Sequence, residues 1–113
     1  MKYFFIVLLL AGTALGVLAS RAGGGEPMAS RSAAETYSKS CASCHGKDGR
    51  AKTFKGKLKH TRDLTDPEWQ DKVSDERIFN SIMNGKGKMP VFGKKLSEQE
   101  INALVTYVRG LKK

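Results

Sequence analysis

Five consecutive residues constrain this 113-residue chain more than any other feature: Cys41, Ala42, Ser43, Cys44 and His45 include both of its cysteines and one of its two histidines. The C-x-x-C-H spacing is the pattern of covalent haem attachment. Two thiols three positions apart on a helical turn can add to the two vinyl groups along one haem edge, and the following histidine can then ligate the iron. The motif predicts one haem c bound through Cys41 and Cys44, with His45 as the proximal axial ligand.

Three other interpretations of the motif fit less well. A thioredoxin-like redox pair needs a βαβ context, which the sequence lacks. A zinc site needs a fourth ligand, and the other strong candidate is His60, which lies in a basic stretch. A structural disulfide between Cys41 and Cys44 would leave His45 without a role.

A second axial ligand is needed if the iron is to transfer electrons rather than bind gas or peroxide. Two of the four methionines lie outside the predicted domain, namely Met1 and Met28. Met83 falls on the apolar face of a predicted helix, where a core role is expected. Met89 lies in a loop between two predicted helices, so we predict Met89 as the distal axial ligand. His60 is the less favoured alternative, because its basic neighbours indicate a solvated loop.

The N-terminal segment differs from the rest of the chain. Lys2 is followed by an apolar run and then by small residues, which is typical of a secretory signal peptide. We interpret residues 1–22 as a signal peptide that is cleaved; the alternative is an N-terminal membrane anchor. Residues 23–32 are rich in glycine and predict a flexible linker. Residues 33–113 form the predicted folded domain, which export would place in the periplasm.

No part of the domain alternates polar and apolar residues over a useful length, so we predict an all-α fold. Residues 46–62 contain three glycines and many basic residues, and predict a loop. Ser97 with Glu100 forms a capping box before apolar residues at helical spacing. The predicted helices cover Ala33–Ser40, residues 67–72, a segment that starts after Ser74 and ends near Gly85, and a segment that starts after Ser97.

From Ala33 to the C-terminus the sequence resembles the class I c-type cytochromes, of the small bacterial mono-haem kind. The matching segments are CASCHGKDG, DLTDPEWQ, GKGKMPVFGKKLSEQE and INALVTYVRGL. The resemblance implies a cytochrome c fold, in which about four helices wrap around one covalently attached haem and the N- and C-terminal helices cross. It also implies that the crossing involves Ala33, Tyr37, Leu104 and Tyr107.

The sequence departs from the family at one position that matters for the histidine. Many members have a proline soon after the motif, whose carbonyl accepts the proton of the proximal histidine ring. Here no proline occurs between His45 and Pro67. We therefore expect another backbone carbonyl, in the stretch 58–62, to take this role.

The charge indicates the kind of partner. The chain carries 20 Lys and Arg against 11 Asp and Glu, a net charge of +9, and loss of Lys2 and Arg21 with the signal leaves 18 − 11 = +7. In the family's fold, two basic loops would flank the haem edge; their residues are Lys47, Arg50, Lys52, Lys55, Lys57, Lys59 and Arg62, and Lys86, Lys88, Lys94 and Lys95. We interpret them as a steering surface for an acidic redox protein such as a respiratory oxidase or reductase, the alternative being a solubilising face. Export disfavours nucleic acid, and we expect a monomer.

These observations predict an electron carrier, not an enzyme: a mono-haem protein that shuttles single electrons through a His/Met-ligated iron in the periplasm. One alternative is a haem c subunit or domain docked permanently on a larger oxidoreductase. Another is a haem peroxidase or gas-binding protein with a labile sixth ligand. Membrane association through the N-terminus follows if that segment is an anchor.

Overall fold

The computed structural model describes residues 31–113, and this part of the chain is helical. It contains no β-strand beyond an isolated bridge between Lys86 and Met89. The helices are α1 (Ala33–Ser40), α2 (Ala42–His45), α3 (Phe54–Leu58), α4 (Pro67–Lys72), α5 (Asp75–Asn84) and α6 (Glu98–Arg109). The all-α prediction is confirmed. The predicted signal peptide or anchor, residues 1–22, and residues 23–30 of the predicted linker lie outside the described residues.

The helix ends follow the sequence signals. Asp66, Ser74 and Ser97 cap α4, α5 and α6, each through a side-chain oxygen that accepts a backbone N–H of the first turn. The capping box predicted for α6 is present, because Glu100 reaches back to the backbone N–H of Ser97 at 2.8 Å. None of the helices within residues 31–113 has the length and apolar character needed to cross a membrane.

The loop predicted for residues 46–62 is wrong in its middle, where α3 forms. Thr53 is the N-cap, and its hydroxyl oxygen accepts the N–H of Gly56 at 2.9 Å. The same hydroxyl lies 2.9 Å from the carbonyl oxygen of Ser43 and 3.0 Å from that of Cys44. This short helix is therefore stabilised by its contact with α2, which local periodicity cannot reveal.

The N- and C-terminal helices of the described domain pack against each other. The rings of Tyr37 on α1 and Tyr107 on α6 have centroids 4.8 Å apart and are tilted by 38°. Tyr37 and Leu104 are almost fully buried, whereas Ala33 is only half-buried. The crossing that the resemblance implies is present, and Thr36, 1% exposed, contributes to the buried face of α1 as well.

Helices α5 and α6 supply most of the remaining core. Their inward faces follow the predicted helical spacing, and the buried residues are Ile78 and Ile82 on α5, and Ile101, Leu104, Val105 and Val108 on α6. Leu64, from the segment between α3 and α4, joins this cluster. The core thus ties the segment after α3 to the C-terminal helix.

Candidate functional site

The three residues of the haem-attachment motif lie on one turn of helix. Cys41 ends α1 and begins α2, and its carbonyl oxygen accepts the backbone N–H groups of Cys44 and His45 at 3.2 and 3.0 Å. The turn ends at Gly46, whose N–H donates to Ala42 at 2.8 Å. This local folding brings Cys41, Cys44 and His45 together, as the spacing predicted.

Both thiols are free and only partly buried. Burial, with a smaller contribution from the nearby Cys44, raises the pKa of the Cys41 thiol to about 11. In the structure the two sulfurs are separate thiols on one helical turn, without a disulfide between them.

The His45 ring is held through one nitrogen. Its Nδ1 lies 3.0 Å from the carbonyl oxygen of Arg62, within the stretch where the sequence predicted such an acceptor. Burial lowers the pKa of the imidazole, although the hydrogen bond to Arg62 opposes this effect. The ring is therefore neutral at neutral pH. With the proton on Nδ1, Nε2 carries the free lone pair that a metal requires.

Met89 lies in the connection between α5 and α6. It is half-buried against the hydrophobic core, and it exchanges backbone hydrogen bonds with Lys86 at 2.9 and 3.2 Å. Gly85, where α5 ends, has φ +74°, and a Cβ there would lie 2.7 Å from the carbonyl oxygen of Met89. The tight turn thus presents a thioether at the edge of the core, on a different part of the chain from the motif.

The competing ligands occupy less suitable positions. Met83 lies on α5, packed against the core, and its sulfur is so close to the Gly93 backbone that a Cβ at Gly93 would lie 2.3 Å from it. His60 is exposed, in the connection between α3 and α4. Among residues 31–113, no group of three or more His, Cys, Asp and Glu side chains could hold a metal ion, so the zinc interpretation gains no support.

The donor set fits a covalently bound haem. Two free thiols on one turn, an imidazole with an available Nε2 and a thioether at the core edge are the groups that haem c uses. Phe54 and Leu58 on α3 expose 85% and 66% of their surface beside the motif, and so offer apolar area for a large planar group. The cleft of about 380 Å³ between α5 and α6 has no such donors; its lining is Asp75, Glu76, Phe79, Asn102, Val105 and Thr106.

Two residues that hold α3 against the motif were not predicted from the sequence as part of the site. Thr53 caps α3 and contacts the carbonyl oxygens of Ser43 and Cys44. Gly56 approaches α2 so closely that a Cβ would lie 2.2 Å from the Cys44 carbonyl oxygen. Thr53 is of a residue type that favours N-cap positions, but no local pattern indicates the contact of α3 with α2.

Tyr37 supports the chain just after His45, and its replacement gives a first testable prediction. Its buried hydroxyl donates to the carbonyl oxygen of Gly46 at 2.7 Å, and burial raises its pKa far above the usual value, so it stays protonated. We expect Tyr37→Phe to lower the free energy of unfolding by about 1–1.5 kcal/mol, measured by denaturant titration. The Tyr107 hydroxyl makes no hydrogen bond among the described residues, so Tyr107→Phe should change it by less than about 0.5 kcal/mol. Equal losses in both variants would contradict the role of the Tyr37 bond.

Comparisons with known proteins find similarity over most of this chain. The family model described as cytochrome c oxidase, cbb3-type, subunit III matches residues 29–108. The cbb3-type cytochrome c oxidase subunit FixP of Azorhizobium caulinodans is 36% identical over 93 residues, which are 81% of this chain but only 30% of FixP. The chain therefore spans less than a third of that relative.

Smaller relatives match over most of their length. Cytochrome c6 of Microcystis aeruginosa is 37% identical over 81 residues, which cover 66% of this chain and 88% of that protein. Among solved structures, the KustC0563 c-type cytochrome is 40% identical and superposes with a TM-score of 0.68, covering 74% of this chain and all of the other. These two proteins are matched over nearly their whole length, so the chain is similar in sequence and in helix arrangement to small proteins of one domain.

Proposed function

Since the chain belongs to the small class I c-type cytochromes, which carry covalently bound haem c and serve electron transport, we propose that it shuttles single electrons as a mono-haem carrier, with His45 and Met89 as axial ligands. Cys41 and Cys44 form the thioether bonds in this proposal. The observation that carries it is the His45 ring, fixed by the Arg62 carbonyl at 3.0 Å beside two free thiols on the same turn. The protein then acts as a carrier and not as an enzyme.

Bound haem supplies one-electron chemistry through its ferrous and ferric states. The residues of the chain determine how that chemistry is used. The Arg62 carbonyl orients the His45 ring and makes it a stronger electron donor. The Met89 thioether is a soft ligand that favours the ferrous state, so His/Met ligation gives a higher potential than two histidines would. The exposed apolar side chains of Phe54 and Leu58 would pack on the bound group and help to exclude water from its edge.

The ligand assignment is tested by a redox-titrated visible spectrum of the protein purified from the periplasmic fraction. We expect a low-spin spectrum in both states, and a weak thioether-to-iron band at the red end in the oxidised protein. A high-spin ferric spectrum at neutral pH would contradict Met89 ligation. It would instead favour the peroxidase or gas-binding alternative, in which the sixth ligand is labile.

The proposed partner is an acidic redox protein. Most residues of the two basic loops are exposed, and none forms an ion pair within residues 31–113; the ion pairs there use Lys72, Arg109 and Lys112. Lys55 and Lys57 lie on α3, which Thr53 and Gly56 hold against the turn that bears Cys44. A positive surface therefore lies beside the haem attachment point, where it would attract an acidic partner.

Reversal of one charge on α3 should slow electron exchange with an anion. We expect Lys57→Glu to lower the second-order rate of oxidation of the ferrous protein by ferricyanide by about threefold at low ionic strength, with the difference lost in high salt. Stopped-flow absorbance measures the rate. Arg31→Glu makes the same charge change at an exposed position before α1, ten residues ahead of Cys41 and outside both basic loops, and should have a smaller effect. If both variants are slowed equally, only net charge matters and the steering surface is not localised.

A second candidate function is a haem subunit docked on a larger oxidoreductase. It is favoured by the match to FixP, which is a cbb3-type oxidase subunit by its description. Native mass spectrometry of the protein captured from gently solubilised cells separates the two: a free carrier is recovered alone, and a subunit with its complex.

The N-terminal segment completes the proposal. Residues 1–22 direct export and are cleaved, residues 23–32 form a linker, and residues 33–113 form the haem domain in the periplasm. The intact mass of the mature protein measures this directly. Retention of residues 1–22 together with recovery in the membrane fraction would show an anchor instead.

A further inference from the structure

Gln70 on α4 makes a set of buried hydrogen bonds outside the motif. Its side chain is 4% exposed. Its Nε2 donates to the carbonyl oxygens of Leu64 and Val108, each at 2.8 Å, and its Oε1 accepts from Arg109 at 3.1 Å. The opposite orientation would place the amide oxygen against two carbonyls and the NH2 group against a guanidinium. Only one orientation of a glutamine therefore satisfies this site.

Arg109 at the end of α6 holds Gln70 from its other side. Its Nη1 also donates to the backbone carbonyl of Gln70 at 2.6 Å, and its Nη2 donates to that of Val73 at 2.6 Å. Its Nε pairs with Asp75 at 2.6 Å. The carbonyls at the end of α4 lack helical partners, and the planar guanidinium serves two chain positions there at once. The position of Gln70 is thus fixed relative to α6.

Leu64 connects Gln70 to the loop that follows the motif. Its N–H donates to the carbonyl oxygen of Gly49 at 2.8 Å, and its side chain is buried in the core. Among residues 31–113, the Leu64 carbonyl accepts a hydrogen bond from Gln70 alone. The Val108 carbonyl has a second donor, the N–H of Leu111 at 3.0 Å. Loss of the Gln70 amide would therefore leave Leu64, and not Val108, without a partner.

Arg62 lies two residues before Leu64 on the same non-helical segment. The residue before Arg62, Thr61, donates its backbone N–H to the carbonyl oxygen of Gly56 on α3 at 2.9 Å. The Arg62 guanidinium lies 6.0 Å from the ring centroid of Trp69, the residue before Gln70 on α4. The Arg62 carbonyl is thus held between anchors on α3 and α4.

We propose that Gln70, oriented by Arg109, is a positioning residue for His45: it anchors Leu64 and thereby holds the Arg62 carbonyl against the imidazole Nδ1. The inference rests on the proposed role of His45 as axial ligand. A firmly held acceptor keeps the ring oriented and increases its electron donation, which favours ferric iron. A looser acceptor weakens that donation, so the reduction potential rises when Gln70 is lost.

The test uses Gln70→Met in the purified holoprotein, because methionine has nearly the shape of glutamine and no donor. In the 15N-labelled ferrous protein, we expect exchange of the His45 Nδ1 proton with solvent to become about tenfold faster or more, and the midpoint potential to shift upward. The haem content and the thioether-to-iron band should be unchanged. Ile78→Val on α5 is the control, since it loses packing in the same core but leaves every hydrogen bond of Gln70, Arg109 and Leu64 in place, and it should leave both readings as in the wild type.

Two outcomes overturn the inference. One is a Gln70→Met protein whose ring-proton exchange and potential equal those of the wild type. The other is a control that changes both readings as much as Gln70→Met does. If Gln70→Met does not fold, Arg109→Lys carries the same test, because lysine keeps the charge but not the fork that orients Gln70. Failure of the proposed ligation would appear differently, as a wild-type protein without the thioether-to-iron band.

Discussion

Replacement of Met89 with alanine is expected to abolish the thioether-to-iron band and to lower the midpoint potential by on the order of 100 mV, a fraction of the roughly 0.8 V over which axial ligands set haem potentials. The reason is loss of a soft sulfur ligand that favours ferrous iron. Met89 lies in a tight turn, held by two backbone hydrogen bonds with Lys86 and by the close approach of Gly85, so the loop should keep its course without the side chain. Visible spectroscopy with a redox titration measures both effects.

Met83→Ala is the matched control, because it removes the same side chain from the end of α5. Met83 packs against the core and touches the Gly93 backbone, so we expect a loss of about 2–4 kcal/mol in the free energy of unfolding. The band and the potential should remain close to those of the wild type. If Met83→Ala removes the band and Met89→Ala only destabilises the fold, the ligand assignment is wrong.

Helices α4, α5 and α6 could be predicted because each begins with an N-cap residue whose side chain bonds a backbone N–H in the first turn, a signal contained within a few residues. Ser74 and Ser97 each accept a backbone N–H three residues ahead, and Asp66 accepts that of Glu68 next to Pro67. The apolar spacing of α5 and α6 then sets the buried face. The motif on α2 is likewise local, since all its members lie within five residues.

The Gln70–Arg109 pair, the acceptor for the His45 ring and helix α3 depend instead on contacts between residues that are distant in the sequence. Gln70 and Arg109 are 39 positions apart, and although both lie in segments that match the family, nothing in either segment indicates that the two side chains pair. The acceptor for His45 could be narrowed to residues 58–62 but not to Arg62, because every residue has a carbonyl and only the path of the chain selects one. Helix α3 was missed for the same reason: its stability comes from contact with α2.

That contact leads to a second large effect, in Gly56→Ala. A Cβ at Gly56 would lie 2.2 Å from the Cys44 carbonyl oxygen and 2.9 Å from that of Ala51, and both obstacles are backbone. Helix α3 or the motif turn must therefore move. We expect a loss of about 3 kcal/mol or more in the free energy of unfolding, since overpacking against backbone cannot be relieved by a rotamer change. Denaturant titration measures it.

The displacement should also reach the haem-binding turn, because Thr53 and Gly56 contact the same carbonyl from α3. We expect a lower yield of protein with haem bound to Cys41 and Cys44, measured as haem absorbance per mole of purified chain. Gly110→Ala is the control: its backbone is right-handed helical and its Cβ would meet the Tyr107 carbonyl at 3.3 Å, so its effect should stay within about 1 kcal/mol with normal haem content. Wild-type stability and haem content in Gly56→Ala would mean that α3 does not pack on the motif, and that Lys55 and Lys57 are not held beside the haem edge.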